Sequence, residues 1–167
     1  MKKHIIFFIG IFATLSLSRF IPHPPNFTSL MALSFYVPAM FGLRYLPHLL
    51  LSFVITDFII GYHTGTHWTW GSVLLIGFIS GFFLKTRITR IVGALSGATI
   101  FFIITNFGVW LTGIYTLSLK GLIECYYLAI PFFGNTLIST LIFSIVIELI
   151  YTQFKLNKIL PKIYTHK

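Results

Sequence analysis

Asp57 stands inside the apolar run ITDFIIGYH, and Arg19 closes another, MKKHIIFFIGIFATLSLSRF. A carboxylate in hydrocarbon costs about 2.5–3.5 kcal/mol on insertion scales, so it must face a partner or a wet cavity. Arg19 lies at a similar depth and is the expected counter-ion. The pair can lock two helices together, line a ligand site, or do both. His63 and His67 are four apart in HTGTH, and His23 is a third imidazole within reach of the same end of the chain's spans. Imidazole is a common metal ligand. Gly65 between the two histidines argues for a loop, and there is no HExxH, cysteine pair or dense carboxylate set. The preferred reading is therefore interfacial histidines beside Trp68 and Trp70, which match an aromatic belt. A metal-ion permease using His23, Asp57, His63 and His67 is the alternative that this spacing leaves open.

Other polar groups gather on the same side. The stretch HPPNFTS, residues 23–29, separates two apolar runs. Pro22, Pro24 and Pro25 remove three backbone donors and stiffen it, so the loop is shaped to present Asn26. NFT at Asn26 also matches a glycosylation sequon, a pattern of low specificity. Asn106 and Trp110 fall in TNFGVW, Tyr115 follows them, and Asn135 lies in PFFGN. The expected substrate-binding set is thus Arg19, Asn26, Asp57, Asn106, Trp110, Tyr115 and Asn135. The aromatic Trp110 and Tyr115 would stack on a flat solute or cover it. No GxSxG, Walker lysine motif or sensibly spaced carboxylate pair is present. Neither an enzyme nor a cofactor is expected, and ATP-driven transport would need a partner. Glu148 reads as structural, snorkelling or pairing with Arg44 or Arg87. Lys120 and Glu124, four apart, read as a helical surface pair.

These groups need a scaffold, and the composition says which kind. Of 167 residues 56% are hydrophobic and 9% charged, against roughly 25% charged in soluble domains. The chain falls in the membrane class. A net charge of +9 would suggest nucleic acid in a soluble protein. Here the cations sit at the ends of apolar runs, so no nucleic-acid partner is expected and the lipid bilayer is. Spans are expected over about 4–21, 30–46, 47–63, 69–86, 91–112 and 132–154, each near the length of about 20 residues that a crossing needs. Segment 113–131 is less apolar and is expected to form a lid or short interfacial helix, with a re-entrant segment or a seventh span as the alternatives. The first span has the n-region and h-region of a signal peptide, but no clear cleavage site follows.

Six spans with a cytoplasmic N-terminus put Lys2, Lys3, Arg44, Lys85, Arg87, Arg90, Lys155, Lys158, Lys162 and Lys167 inside, and only Arg19 and Lys120 outside. That matches the cytoplasmic excess of Lys and Arg. The expected fold is all-α: a six-helix transmembrane bundle in one domain, both termini cytoplasmic, in a bacterial plasma membrane. Runs such as SVLLIGFISGFFL are apolar on all sides, so a β-barrel is not expected. Gly77 with Gly81, and Gly93 with Gly97, form GxxxG pairs, and Gly10, Thr14 and Ser18 make a small-residue ridge on the first span. Such residues let helices approach closely, within the bundle or against a partner. Cys125 is the one cysteine and forms no internal disulfide.

RFIPHPPNFTSLMAL, ITDFIIGYH, FFIITNFGVWLTGIY and IPFFGNTL resemble the recurring motifs of a family of small, uncharacterised bacterial multi-spanning membrane proteins, a domain of unknown function. The resemblance covers about residues 19–145 and implies no particular activity. In size, span number and polar outer loops the family is similar to the S components of energy-coupling factor transporters. That likeness implies a six-helix fold, a vitamin or metal ion bound near the outer face, and a separate membrane coupling subunit with two ATPases. S components commonly carry Ala-xxx-Ala ridges on span one for that partner. This chain departs from the pattern with Gly10, Thr14 and Ser18. The expected function is a substrate-binding membrane subunit for small-molecule uptake. A non-transport scaffold or assembly factor with a structural polar network is the alternative.

Overall fold

The computed structural model describes residues 2–153. These form six α-helices: α1 (Lys2–Phe20), α2 (Leu30–Phe41), α3 (Leu46–Ile60), α4 (Thr66–Ile79), α5 (Arg87–Leu111) and α6 (Leu119–Gln153). Short 3-10 turns at Leu43–Tyr45 and Ser80–Phe83 join α2 to α3 and extend α4. There is no strand among the described residues. The expected end of the sixth span at 154, and the basic residues Lys155, Lys158, Lys162 and Lys167, lie outside the described residues.

The helix ends follow local chemistry. Gly42 (φ 94°) and Gly61 (φ 136°) stop α2 and α3 in conformations that other residues rarely adopt. Pro47 sits in the first turn of α3, where its missing N–H is no loss. RYLPH, residues 44–48, therefore runs from a 3-10 turn straight into a helix. Thr86 caps α5: its hydroxyl accepts from the Thr89 N–H while the Thr89 hydroxyl accepts from the Thr86 N–H.

The separate short helix expected within 113–131 is not a distinct element. Residues 113–118 make a turn and 119–131 are the first part of α6, which runs 35 residues without a break through Pro131. At 1.5 Å per residue α6 is about 52 Å long. Helix geometry tolerates Lys120 and Glu124, which lower the local hydropathy but do not end the helix.

Short α2 is the centre of the bundle. Every residue from Leu30 to Met40 is buried, and the helix touches each of the other five. Its core neighbours include Leu15, Leu49, Val73, Ile76, Ala94 and Ala98. Outside that core the polarity is inverted. On α6 the buried stripe is Thr136, Ser139, Thr140, Ser144 and Glu148, while Ile138, Leu141, Ile142, Ile145 and Leu149 are exposed. A polar inner face and an apolar outer face at helical spacing suit a lipid solvent. Exposed apolar surface on this scale is foreign to soluble monomers. Three helical segments, Leu43–Ile60, Arg87–Leu111 and Leu119–Gln153, are long and apolar enough to cross a membrane, and two shorter ones, Ile5–Phe20 and Leu30–Phe41, are apolar.

The glycine pairs pack within the chain at three of their four positions. A Cβ on Gly77 would meet Leu46, one on Gly93 would meet Phe35 and Phe83, and one on Gly97 would meet Ile76. Gly81 has open space, as does Gly10 on α1.

Candidate ligand-binding site

Arg19 and Asp57 form an ion pair, Nη2 to Oδ1, at 2.6 Å. Their side chains are 14% and 10% exposed, so the pair is largely withdrawn from solvent. Each charge has a second partner. Arg19 Nη1 donates to Thr56 Oγ1 at 2.6 Å, and that hydroxyl donates to the Phe53 carbonyl at 2.8 Å. Trp70 Nε1 donates to Asp57 Oδ2 at 2.7 Å. The guanidinium also lies over the Phe53 ring, 4.8 Å from its centroid. One network thus ties the end of α1 to α3 and α4, and both charges are matched inside it.

This network forms one wall of a cavity of about 290 Å3. The cavity sits where α1 ends, α2 begins, α3 ends and α4 begins, with walls from α5 and α6. Its polar lining is Arg19, Asp57, His23, Asn26, Thr28, His63, Thr69 and Thr136. The apolar lining is Leu30, Met31, Phe53, Ile60 and Phe101. The volume lies at the low edge of the range for ligand pockets, roughly 300–1,000 Å3.

The 21–29 loop is held over the cavity from three sides. Asn135 on α6 donates its side-chain amide to the Pro25 carbonyl at 3.0 Å. Ser18 and Ser29 share a hydroxyl–hydroxyl hydrogen bond of 2.8 Å between α1 and α2. His23 Nδ1 lies 2.7 Å from the Pro24 carbonyl and Nε2 lies 3.3 Å from the Arg19 carbonyl. Asn26 has φ 63°, a left-handed conformation that asparagine tolerates better than most residues.

Of the expected substrate-binding residues, the cavity gathers Arg19, Asn26 and Asp57. Asn135 braces the loop and is not part of the lining. Asn106, Trp110 and Tyr115 are elsewhere. The Asn106 amide donates to the Phe102 carbonyl of its own helix at 2.8 Å. Trp110 Nε1 donates to the Thr116 carbonyl at 3.0 Å and so closes the α5–α6 turn. Tyr115 lies in that turn. Residues absent from the expected set are Thr28, Thr69, Thr136, the Arg19 partner Thr56 and the Asp57 partner Trp70. Their hydroxyls and indole carry no distinguishing motif in sequence.

The three histidines do not converge. His23 and His63 line the cavity, but His67 is exposed and packs beside Trp68, ring centroids 5.4 Å apart. Among the described residues no group of three or more His, Cys, Asp and Glu could hold a metal ion.

A second buried ion pair lies at the opposite end. Arg90 grips Glu148 with both Nε and Nη2, each at 2.7 Å. The expected partners Arg44 and Arg87 do not take this role. Arg90 is one helical turn beyond Arg87, on the face of α5 toward α6, and it also donates to the Leu84 carbonyl at 3.2 Å. The Tyr36 hydroxyl on α2 faces Glu148 and Ser144.

The architecture defines an all-helical bundle whose apolar helices are compatible with a membrane protein, with a polar cavity at one end. The chain belongs to the family of unknown function DUF6580, whose match covers residues 1–162. No curated protein and no solved structure matches it.

Proposed function

We propose that this chain is a substrate-binding membrane protein that captures a small molecule in the cavity beside the Arg19–Asp57 pair. The observation that carries this reading is convergence: all six helices or their adjoining loops contribute to one cavity lined by polar side chains. The Arg19–Asp57 network is the wall of the site, since both charges are already matched. Asn26, Thr28, His63 and Thr69 are the groups that meet the ligand.

In this proposal the chain crosses a bacterial plasma membrane six times, with both termini in the cytoplasm. Support comes from the distribution of charge. Arg44, Lys85, Arg87 and Arg90 lie at the end of the bundle remote from the cavity, where α2 and α4 finish and α3 and α5 begin. A basic end is the cytoplasmic end, so the cavity opens outward. The chain binds and does not catalyse. A separate membrane subunit with ATPases supplies energy, as in the S components to which the family is similar in architecture.

Native mass spectrometry of the protein, extracted from its own host into nanodiscs, tests this reading. A retained small molecule that is lost in Asn26→Leu is the expected result. An apo mass in both proteins, with no thermal stabilisation by any host metabolite extract, overturns it. The second reading is a scaffold, favoured by the internal matching of the ion-pair network. It predicts that same apo mass with a co-purifying membrane protein.

A further inference from the structure

His23 stands at the start of the loop that roofs the cavity, and both of its ring nitrogens face carbonyl oxygens. Nδ1 lies 2.7 Å from the Pro24 carbonyl and Nε2 lies 3.3 Å from the Arg19 carbonyl. A carbonyl oxygen accepts and never donates. Each contact is therefore a hydrogen bond only while the nitrogen facing it carries a proton. Neutral imidazole has a single N–H, and imidazolium has one on each nitrogen. The neutral ring must turn a lone pair toward one of the two oxygens. The contact with α1 falls at a place suited to a cation. That helix ends just ahead of Pro22, which has no N–H to extend the ladder. The Arg19 carbonyl is among the final carbonyls of the helix, which lack intrahelical partners, and positive charge is favourable there. The Pro24 carbonyl also accepts the Phe27 N–H at 3.0 Å. The ring thus ties the turn from Pro24 to Phe27 to the end of α1.

We propose that His23 is a proton-operated latch on the roof of the cavity. As imidazolium it bridges Arg19 and Pro24 and holds the 21–29 loop down. On losing its proton it lets go of α1, and the loop lifts. This regulates the proposed capture site and rests on that reading. The longer contact is the one that breaks: Nδ1 keeps the remaining proton against Pro24, and Nε2 turns a lone pair to the Arg19 carbonyl. The ring is half-buried, so solvent protons reach it. The other titratable side chains of the cavity are Arg19, Asp57 and His63. Arg19 and Asp57 are spent on each other, on Thr56 and on Trp70. The walls from α2, α5 and α6 bring Leu30, Met31, Phe101 and Thr136, none of which titrates. His63 responds in the opposite sense. Its Nδ1 accepts the Gly65 backbone N–H at 3.2 Å, so a proton added there breaks a contact, whereas at His23 it makes one. An ordinary imidazole changes charge between about pH 5 and 8. With the loop on the outer side, as proposed above, an acidic exterior closes the cavity and a neutral one opens it.

Hydrogen exchange of the full chain in phosphatidylcholine nanodiscs tests the latch. Protection at residues 26–29 is taken relative to the intrinsic exchange rate at each pH, which removes the chemical pH dependence of exchange itself. It is expected to fall about fivefold from about pH 5 to about pH 8, the effect of one hydrogen bond, while protection in α2 stays constant. His23→Gln is expected to abolish that pH dependence. His23→Arg, a cation at every pH in the window, is expected to keep the loop protected throughout, and it carries the test should His23→Gln not fold. His63→Gln is expected to retain the wild-type profile. Loop protection in the wild type that ignores pH overturns the latch. So does a pH dependence that survives in His23→Gln, or one that disappears in His63→Gln. Native mass spectrometry of protein from its own host, at the same two pH values, separates this inference from the capture function. A retained small molecule beneath a loop that ignores pH overturns the latch and leaves capture standing. A loop that titrates through His23 in a protein retaining no small molecule at either pH upholds the latch and overturns capture.

Discussion

Asn135 on α6 and Pro25 in the α1–α2 loop are joined by one hydrogen bond of 3.0 Å across 110 positions of sequence. It is the direct tie between the longest helix and the loop that roofs the cavity. Asn135→Ala should free the loop while leaving the bundle intact. Loss of one such bond costs about 1 kcal/mol, so Tm should fall only slightly. Hydrogen exchange should quicken at residues 26–29 and stay unchanged in α2. Unchanged exchange at the loop would show that the tie is not what holds it.

The Arg19–Asp57 pair should respond asymmetrically to mutation. Asp57→Leu leaves the guanidinium buried without its partner, a situation that costs about 3–5 kcal/mol. The double variant Arg19→Met with Asp57→Leu removes both charges and should recover most of that loss. Unfolding in a mixed-micelle denaturant series measures both. A double variant as unstable as the single one would mean that the charges do more than match each other.

At the other end Arg90→Lys should not substitute for arginine. Glu148 is held by two parallel bonds from Nε and Nη2, and an ammonium cannot reproduce that fork. Arg90→Lys and Glu148→Gln should both lower Tm, with Arg90→Lys the milder because it keeps the charge. A wild-type Tm for either variant would contradict the assignment of this pair as a clamp between α5 and α6.

The glycines divide into two groups. A Cβ on Gly93 would sit 2.6 Å from Phe35 Cε2 and 2.7 Å from Phe83 Cβ. Gly93→Ala should therefore destabilise by about 1–3 kcal/mol through overpacking. Gly134 has open space around it in α6. Gly134→Ala should be neutral or stabilise by up to about 1 kcal/mol, the helix-propensity difference. Thermal unfolding of the two variants side by side checks the sign of each.

Orientation is tested by labelling. In a Cys125→Ser background, a cysteine at Thr64 should react with a membrane-impermeant maleimide on intact cells. A cysteine at Thr86 should react only after lysis. The reverse pattern would place the cavity on the cytoplasmic side and remove the uptake proposal.

The Arg19–Asp57 pairing was legible in the sequence because membrane energetics are unforgiving to charge. Asp57 had to be matched, and Arg19 was the nearby cation at equal depth. The stiff proline loop also marked Asn26. Asn106 and Trp110 lie away from this cavity because depth along a helix says nothing about rotation around it, and each donates to a local backbone carbonyl. Trp70 looked like an interfacial aromatic, since a contact between separate helices leaves no trace in spacing. Segment 113–131 was separated from the last span on hydropathy. Hydropathy reports the preferred solvent of a segment, whereas helix continuity depends on backbone bonding, and Pro131 did not interrupt it. The polar stripe of α6, Thr136, Thr140, Ser144 and Glu148 at four-residue spacing, reads as background in so apolar a run.

The shortness of α2 has an electrical consequence. Twelve residues rise about 18 Å, against a hydrocarbon thickness of about 30 Å. If the Phe41 end of α2 reaches one face of the hydrocarbon, the Leu30 end, where the cavity lies, is sunk about 12 Å beneath the other face. Anything seated there has already passed part of the transmembrane voltage drop. An ion's occupancy would then vary with the cell's resting potential, by a fraction of the roughly 2.3 kcal/mol that a full elementary charge feels per 100 mV. A guest bearing no net charge would load equally well in energised and depolarised cells.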